Sequence, residues 1–193
     1  MPILPEGSCQ SSQQRVARAM KFRKTVEVLV SFFEEQGIDY ALIGAFALHA
    51  YGYTRATGDL DFIVRRESRE KVVSFLESLG YHTLECSRGF SNHVHPLEGL
   101  GRVDFVYVSG ETADAIFSAV RRTPLFGRHE LPVAKPEHLI ALKVFAMKND
   151  PTRLFREMAD LEYLVRVDGV NQEEVKKIFR QYGMEDRYEQ LVS

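Results

Sequence analysis

The chain has 193 residues, 45% of them hydrophobic and 27% charged, and a formal net charge of −2 at pH 7. That length supports one sizeable core, or a main domain with a helical appendage. The near-neutral charge excludes a global electrostatic footprint for nucleic acid and leaves such contacts to local patches. No apolar run reaches the roughly 18–20 residues that span a bilayer, so no membrane partner is expected.

Residues 1–14 are polar with scattered prolines and lack the charged start and apolar stretch of a signal peptide. They read as a flexible leader. Arg15 to Gln36 has helical periodicity through Val16, Met20, Thr25, Val28, Leu29 and Phe32, and Gly37 ends it. Asp39 to Ile43 is a short apolar strand, broken by Gly44, and Ala45 to Tyr51 reads as a small helix. A loop over 52–58 leads to a strand over Leu60–Val64, with acids at its start. An amphipathic helix over Ser68–Leu79 follows, closed by Gly80. Strands are expected at Tyr81–Cys86, more weakly at His93–Leu97, strongly at Arg102–Val108 and last at Arg128–Val133, with a short helix over Thr112–Val120. From Pro136 the pattern turns all-helical, over 136–149, 151–166, 171–182 and 185–192. Proline suits a first helical turn.

This order predicts an α/β (α+β) fold: a small mixed β-sheet flanked by helices, then a C-terminal helical bundle. The expected organisation is a leader over 1–14, a core with its N-terminal helix over 15–133, and a helical domain over 134–193. Cys9 and Cys86 lie far apart without metal-ligand spacing, which argues against a disulfide framework and for a reducing cytoplasm.

The chemistry concentrates in Asp59-Leu60-Asp61. Residues i and i+2 of a strand share a face, roughly 6.5–7 Å apart. Two carboxylates so placed repel each other and favour a cation between them. Asp104 lies within the apolar strand Arg102–Val108, where an acid is costly unless paired or bound to metal. If that strand lies beside the first, three carboxylates converge, a set suited to Mg²⁺ and to phosphoryl displacement. The bland alternatives are a turn cap for Asp59 and a salt bridge from Asp104 to Arg102 or Arg55. Gly44, between a strand and a helix, lets backbone N–H groups approach phosphate oxygens, or is a plain turn.

Lys143 has Leu139, Ile140, Ala146 and Met147 as its helical neighbours. A lysine on an apolar stripe needs an anion or a route to solvent. The turn at Pro151 returns the next helix alongside, so Lys143 and Asp160 either pair or both face the site. Arg55 and Thr57 are candidate phosphate contacts or loop packers. His93 and His95 read as surface strand positions, with a metal-binding pair as the alternative. Lys21-Phe22-Arg23-Lys24 and Arg121-Arg122 read as solvated faces rather than an RNA surface.

The stretch 40–64 (strand, glycine turn, short helix, loop, Asp-x-Asp) resembles the first motif of the polymerase-β-type nucleotidyltransferase superfamily. Arg55-x-Thr57-x-Asp59-Leu60-Asp61-Phe62 is similar to the AbiEii/MenT-like branch, known from toxin–antitoxin and phage-defence systems. Weaker similarity extends to Asp104 and to Leu139-Ile140-Ala141-Leu142-Lys143…Arg153…Asp160-Leu161.

The resemblance implies metal-dependent transfer of a nucleotide from a nucleoside triphosphate to an acceptor. Asp59, Asp61 and Asp104 would hold Mg²⁺ or Mn²⁺, Gly44 and Ala45 would seat the triphosphate, and Lys143, oriented by Asp160, would meet phosphate. The implied acceptor is RNA such as a tRNA end, or a partner protein, with a cognate antitoxin as a further partner. A small-molecule acceptor is the alternative. Ala45 departs from the family's usual Ser or Gly and loses a hydroxyl, which keeps a catalytically impaired binding protein as another.

Overall fold

The computed structural model describes residues 23–97, 99–127 and 129–192. The leader, Cys9, Lys21, Phe22, Arg128 and the helical positions before 23 lie outside them. Among the described residues are seven strands and eight helices, a mixed α/β fold, gathered into two compact units that do not follow chain order.

The first unit holds the described residues up to Tyr40 and those within 58–109 and 124–129. It contains helix α1 (23–35), strand β2 (Asp59–Arg65), helix α3 (Arg69–Ser78) and strands β3 (His82–Cys86), β4 (Phe90–Val94) and β5 (Arg102–Val108), in the order β3-β4-β5-β2. β2 and β5 run parallel, while β3, β4 and β5 are joined antiparallel. Period-2 alternation sorts the side chains of β5. Val103, Phe105 and Tyr107 are buried, whereas Arg102, Asp104 and Val106 are half-exposed on the other face. The buried face meets α1 through Phe33, which contacts Phe62 and Phe105 edge-on. Phe32 of α1 stacks on Phe75 of α3, ring centroids 3.8 Å apart.

Strand β4 begins and ends earlier than the expected His93–Leu97. The Ser87 hydroxyl accepts hydrogen bonds from the backbone N–H groups of Gly89 and Phe90, and this turn starts the strand at Phe90.

The second unit holds Ala41–Thr57, Gly110–Thr123 and the described residues from Glu130 on. Strand β1 (Tyr40–Ile43) enters it from the first unit and passes into helix α2 (Gly44–His49). Helix α4 (Gly110–Ser118) precedes strands β6 (Arg121–Leu125) and β7 (His129–Val133), in the order β1-β7-β6. Leu42 of β1 pairs in parallel with Val133. β6 was not expected, because Arg121, Arg122 and Pro124 give it the composition of a solvated loop.

Helices α5 (Pro136–Asn149), α6 (Leu154–Leu164), α7 (Gln172–Gln181) and α8 (Glu185–Val192) follow within two residues of expectation, apart from a 3₁₀ turn at Pro151–Arg153 that takes the start of the second. Pro136 opens α5, Asp150 caps the turn by accepting from the Thr152 N–H, and Asn171 caps α7 by accepting from the N–H groups of Glu173 and Glu174. Leu139, Ile140, Val144, Met147, Leu161, Leu164, Val175 and Phe179 make the helical core.

Candidate active site

The three acids named from the sequence lie on one face of the first unit's sheet. β2 and β5 are parallel neighbours in a register that sets Asp61 directly opposite Asp104 and Asp59 opposite Arg102. Residues opposite each other project to the same side. Asp59, Asp61, Arg102 and Asp104 therefore form a two-by-two block of three carboxylates and one guanidinium. Both strands leave this end half-exposed. The sequence put acids on each strand, but only the strand order made the strands neighbours.

Arg102 was considered only as a bland partner for Asp104. Its Nε donates to Asp104 Oδ1 at 2.8 Å. That hydrogen bond raises the arginine's pKa above its ordinary value. Burial opposes the rise, and the charges of Asp104, Asp59 and Asp61 add to it. Among the described residues, no three His, Cys, Asp or Glu side chains are gathered so as to hold a metal ion. Asp104 is turned to the guanidinium instead. The three acids nevertheless offer only carboxylate oxygens, on one face and half-exposed, which is the donor type that hard divalent cations take.

The second unit carries a separate cluster built on α5 and α6. Lys143 is buried, and its Nζ donates to Glu157 Oε2 at 2.8 Å and to Asp160 Oδ2 at 2.5 Å. Of the two arrangements open for Lys143 and Asp160, the pair is the one formed. Arg55 grips Asp160 with both prongs, Nε to Oδ1 at 2.9 Å and Nη2 to Oδ2 at 3.0 Å. Arg153 grips Glu157 Oε1 at 3.0 and 2.6 Å. The two carboxylates are 2% and 1% exposed, so each is compensated by at least two cationic donors. Burial alone would raise the Glu157 pKa, but Lys143 and Arg153 outweigh it and hold the carboxyl at about 2.

Glu157 was missed in the sequence. Its signal was there: it lies three residues before Asp160 and four after Arg153, on the same helical face.

The same face of α6 fastens the loop after α2. Tyr163, three residues beyond Asp160, donates its hydroxyl to the Tyr51 carbonyl at 2.6 Å, and its ring stacks on Tyr53. Gly52 is required there, because a Cβ at its φ of +90° would stand 2.8 Å from the Tyr163 hydroxyl. His49 Nε2 reaches the Arg55 carbonyl at 3.5 Å. Arg55 is thus neither an exposed loop residue nor a free phosphate ligand: it is committed to Asp160. Thr57 is engaged with neighbouring groups.

Gly44 takes φ +65° at the start of α2, a conformation costly for a residue with a Cβ. Ala45, which follows it, is buried.

The histidine expectation needs correction. His93 is fully buried rather than a surface strand residue. Its Nε2 bonds the Ser91 hydroxyl at 2.8 Å and its Nδ1 the Thr83 hydroxyl at 3.2 Å, with Ser91 continuing to Tyr107 at 2.7 Å. His93 lies opposite Val103, on the Phe105 face of the sheet and away from the acids. Burial pushes its pKa down. His95 lies beyond the end of β4 and bonds the Leu79 carbonyl.

A family model described as "Uncharacterised nucleotidyltransferase" matches residues 5–192. The chain belongs to this family. It is a nucleotidyltransferase, with a nucleoside triphosphate as substrate.

Solved structures similar to this nucleotidyltransferase share its fold at low identity. The antibiotic-resistance factor ANT(2″)-Ia in solution is 14% identical, with a TM-score of 0.67, covering 89% of this chain and 95% of that one. A crystal structure of ANT(2″)-Ia with adenylyl-2″-tobramycin gives 14%, a TM-score of 0.61, and 86% and 98% coverage. The lincosamide antibiotic adenylyltransferase LnuA, bound to lincomycin, gives 18%, 0.51, and 75% and 96%. No curated protein matches the sequence. No helix of the described residues is long and apolar enough to cross a membrane.

Proposed function

We propose that this nucleotidyltransferase works through a divalent cation held by Asp59, Asp61 and Asp104. The observation that carries the reading is the register of β2 and β5, which sets Asp61 against Asp104 with Asp59 on the same face. When bound, Mg²⁺ or Mn²⁺ supplies neutralisation of the phosphate oxygens. An acceptor hydroxyl forms a new bond to the α-phosphorus in line, the bond from that phosphorus to the pyrophosphate oxygen breaks, and pyrophosphate leaves. Asp104 accepts the hydroxyl proton. Gly44 and Ala45 contribute backbone N–H groups to the triphosphate. In the second unit, Asp160 orients both Lys143 and Arg55, and this cluster is a candidate contact for phosphate, with Arg55 and Thr57 shaping their own loop. Catalysis is then mostly positioning and charge neutralisation.

For the acceptor, the likeness of residues 55–62 to the AbiEii/MenT-like branch supports RNA such as a tRNA end, or a partner protein, in a toxin–antitoxin setting. A small hydroxyl-bearing acceptor is the second reading, favoured by the fold shared with ANT(2″)-Ia, whose structure carries adenylyl-2″-tobramycin. The sparse cysteines support a cytoplasmic location.

The test is incubation with each of four α-labelled nucleoside triphosphates and Mg²⁺, offering total RNA, the protein itself and a panel of aminoglycosides and lincosamides. Wild type is expected to label one acceptor class. Asp61→Asn is expected to label none while keeping its circular dichroism and melting temperature. Full labelling by Asp61→Asn refutes the metal-site reading.

A further inference from the structure

The guanidinium of Arg102 stands among the three carboxylates, and this points to a role no sequence motif suggested. It shares their face of the sheet: Asp59 lies opposite it on β2, and Asp104 is two residues away on β5. It donates to Asp104 at 2.8 Å, and the charges of all three acids act on it. Arg102 is 41% and Asp104 20% exposed, so the pair is open to water and to exchange.

We propose that Arg102 is a resident counter-cation of the acidic face, a positioning residue that holds Asp104 until a divalent cation takes its place. The inference rests on the metal-site reading above. Three carboxylates at one sheet end repel one another, and without a compensating charge the end of the β2–β5 pair is destabilised. Arg102 supplies one positive charge and satisfies Asp104. The same contact withholds an Asp104 oxygen from any incoming cation, so metal and guanidinium compete for it. An arginine cannot yield by losing its proton. It has to swing away, and its exposure allows that. Once displaced, the guanidinium stays within side-chain reach of the face, as a cation beside whatever anion the metal recruits.

Competition predicts a sign opposite to that of an ordinary binding residue. Mn²⁺ affinity of the full chain, without nucleotide, is measured by calorimetry and electron paramagnetic resonance for wild type, Arg102→Ala and Arg102→Gln. Glutamine keeps the aliphatic stem, so the comparison survives if the alanine variant folds poorly. The variants are expected to bind Mn²⁺ more tightly, by up to roughly fivefold, as suits loss of one half-exposed charged hydrogen bond. Their metal-free melting temperatures are expected to fall, with a larger recovery on adding Mn²⁺ than wild type shows. Equal or weaker Mn²⁺ binding by both variants overturns the counter-cation role and leaves the metal site standing. No Mn²⁺ binding by wild type or either variant, with or without a non-hydrolysable triphosphate, overturns the metal-site reading itself.

Discussion

Replacing Lys143 by methionine asks how much of the second unit's stability depends on one buried ammonium. Lys143 makes two charged hydrogen bonds, to Glu157 and Asp160, which are 2% and 1% exposed. Removing one partner from a buried ion cluster costs about 3–5 kcal/mol, because it strands charge in low dielectric. Here Arg153 stays on Glu157 and Arg55 on Asp160, so the lower end, about 3 kcal/mol, applies. In a chain of this size each kcal/mol moves the melting temperature by roughly 2–4 °C, so Lys143→Met should melt about 6–12 °C lower at pH 7.

The pH dependence sharpens this prediction. Glu157 is held at about 2 in the folded protein against an ordinary 4.5. Its stabilising contribution is therefore present above pH 4.5 and lost as pH falls through about 2. Without Lys143 the folded carboxyl is less depressed, so the variant has less to lose on acidification. Urea unfolding at pH 7, 5, 4 and 3 should show the gap between wild type and variant narrowing as pH falls. A Lys143→Met protein that melts within 1–2 °C of wild type at pH 7, or a gap that widens with acid, refutes the account of the cluster; the 1–2 °C threshold is about the shift for half a kcal/mol.

Two further outcomes follow from particular residues. His93→Gln removes a buried imidazole whose folded pKa is lowered by burial. Neutral His93 stabilises the fold above the ordinary histidine pKa, and that contribution is lost as pH drops below it. Wild type should therefore weaken between about pH 7 and 5 by more than the variant does, read by chemical denaturation. Gly44→Ala forces a Cβ into φ +65° and should cost about 1–2 kcal/mol in thermal unfolding. Under the proposed function it should also weaken binding of a nucleoside triphosphate in calorimetry. Unchanged stability would show that the turn relaxes.

Periodicity and punctuation carried most of the elements. Asp59–Arg65, Arg102–Val108 and Pro136–Asn149 follow from alternating or helical apolar patterns bounded by glycine and proline, which act over a few residues. β6 escaped because its arginines and proline resemble a loop, and β4 was misplaced because a serine turn, not hydrophobicity, starts it. The acids were visible as residue types at strand spacing. Glu157 was not singled out, and Arg102 only as a salt-bridge partner for Asp104, because an acid on a helix and an arginine beside a strand acid are common on surfaces.

The sequence by itself determined residue types and their local placement: two acids on one strand face, a third in a later strand, a glycine before a short helix and a lysine on an apolar stripe. Those properties depend on backbone period and local sterics. The tertiary structure decided which of them meet. Pairing β2 with β5 is a contact across some forty residues, and it made Asp61 a neighbour of Asp104 and set Arg102 among the acids. The packing of α6 on α5 turned Lys143 and Asp160 from two alternatives into one pair, because a buried ammonium is stable only where carboxylates reach it. Long-range register and burial are set by the chain folding as a whole, and no local window of sequence contains them.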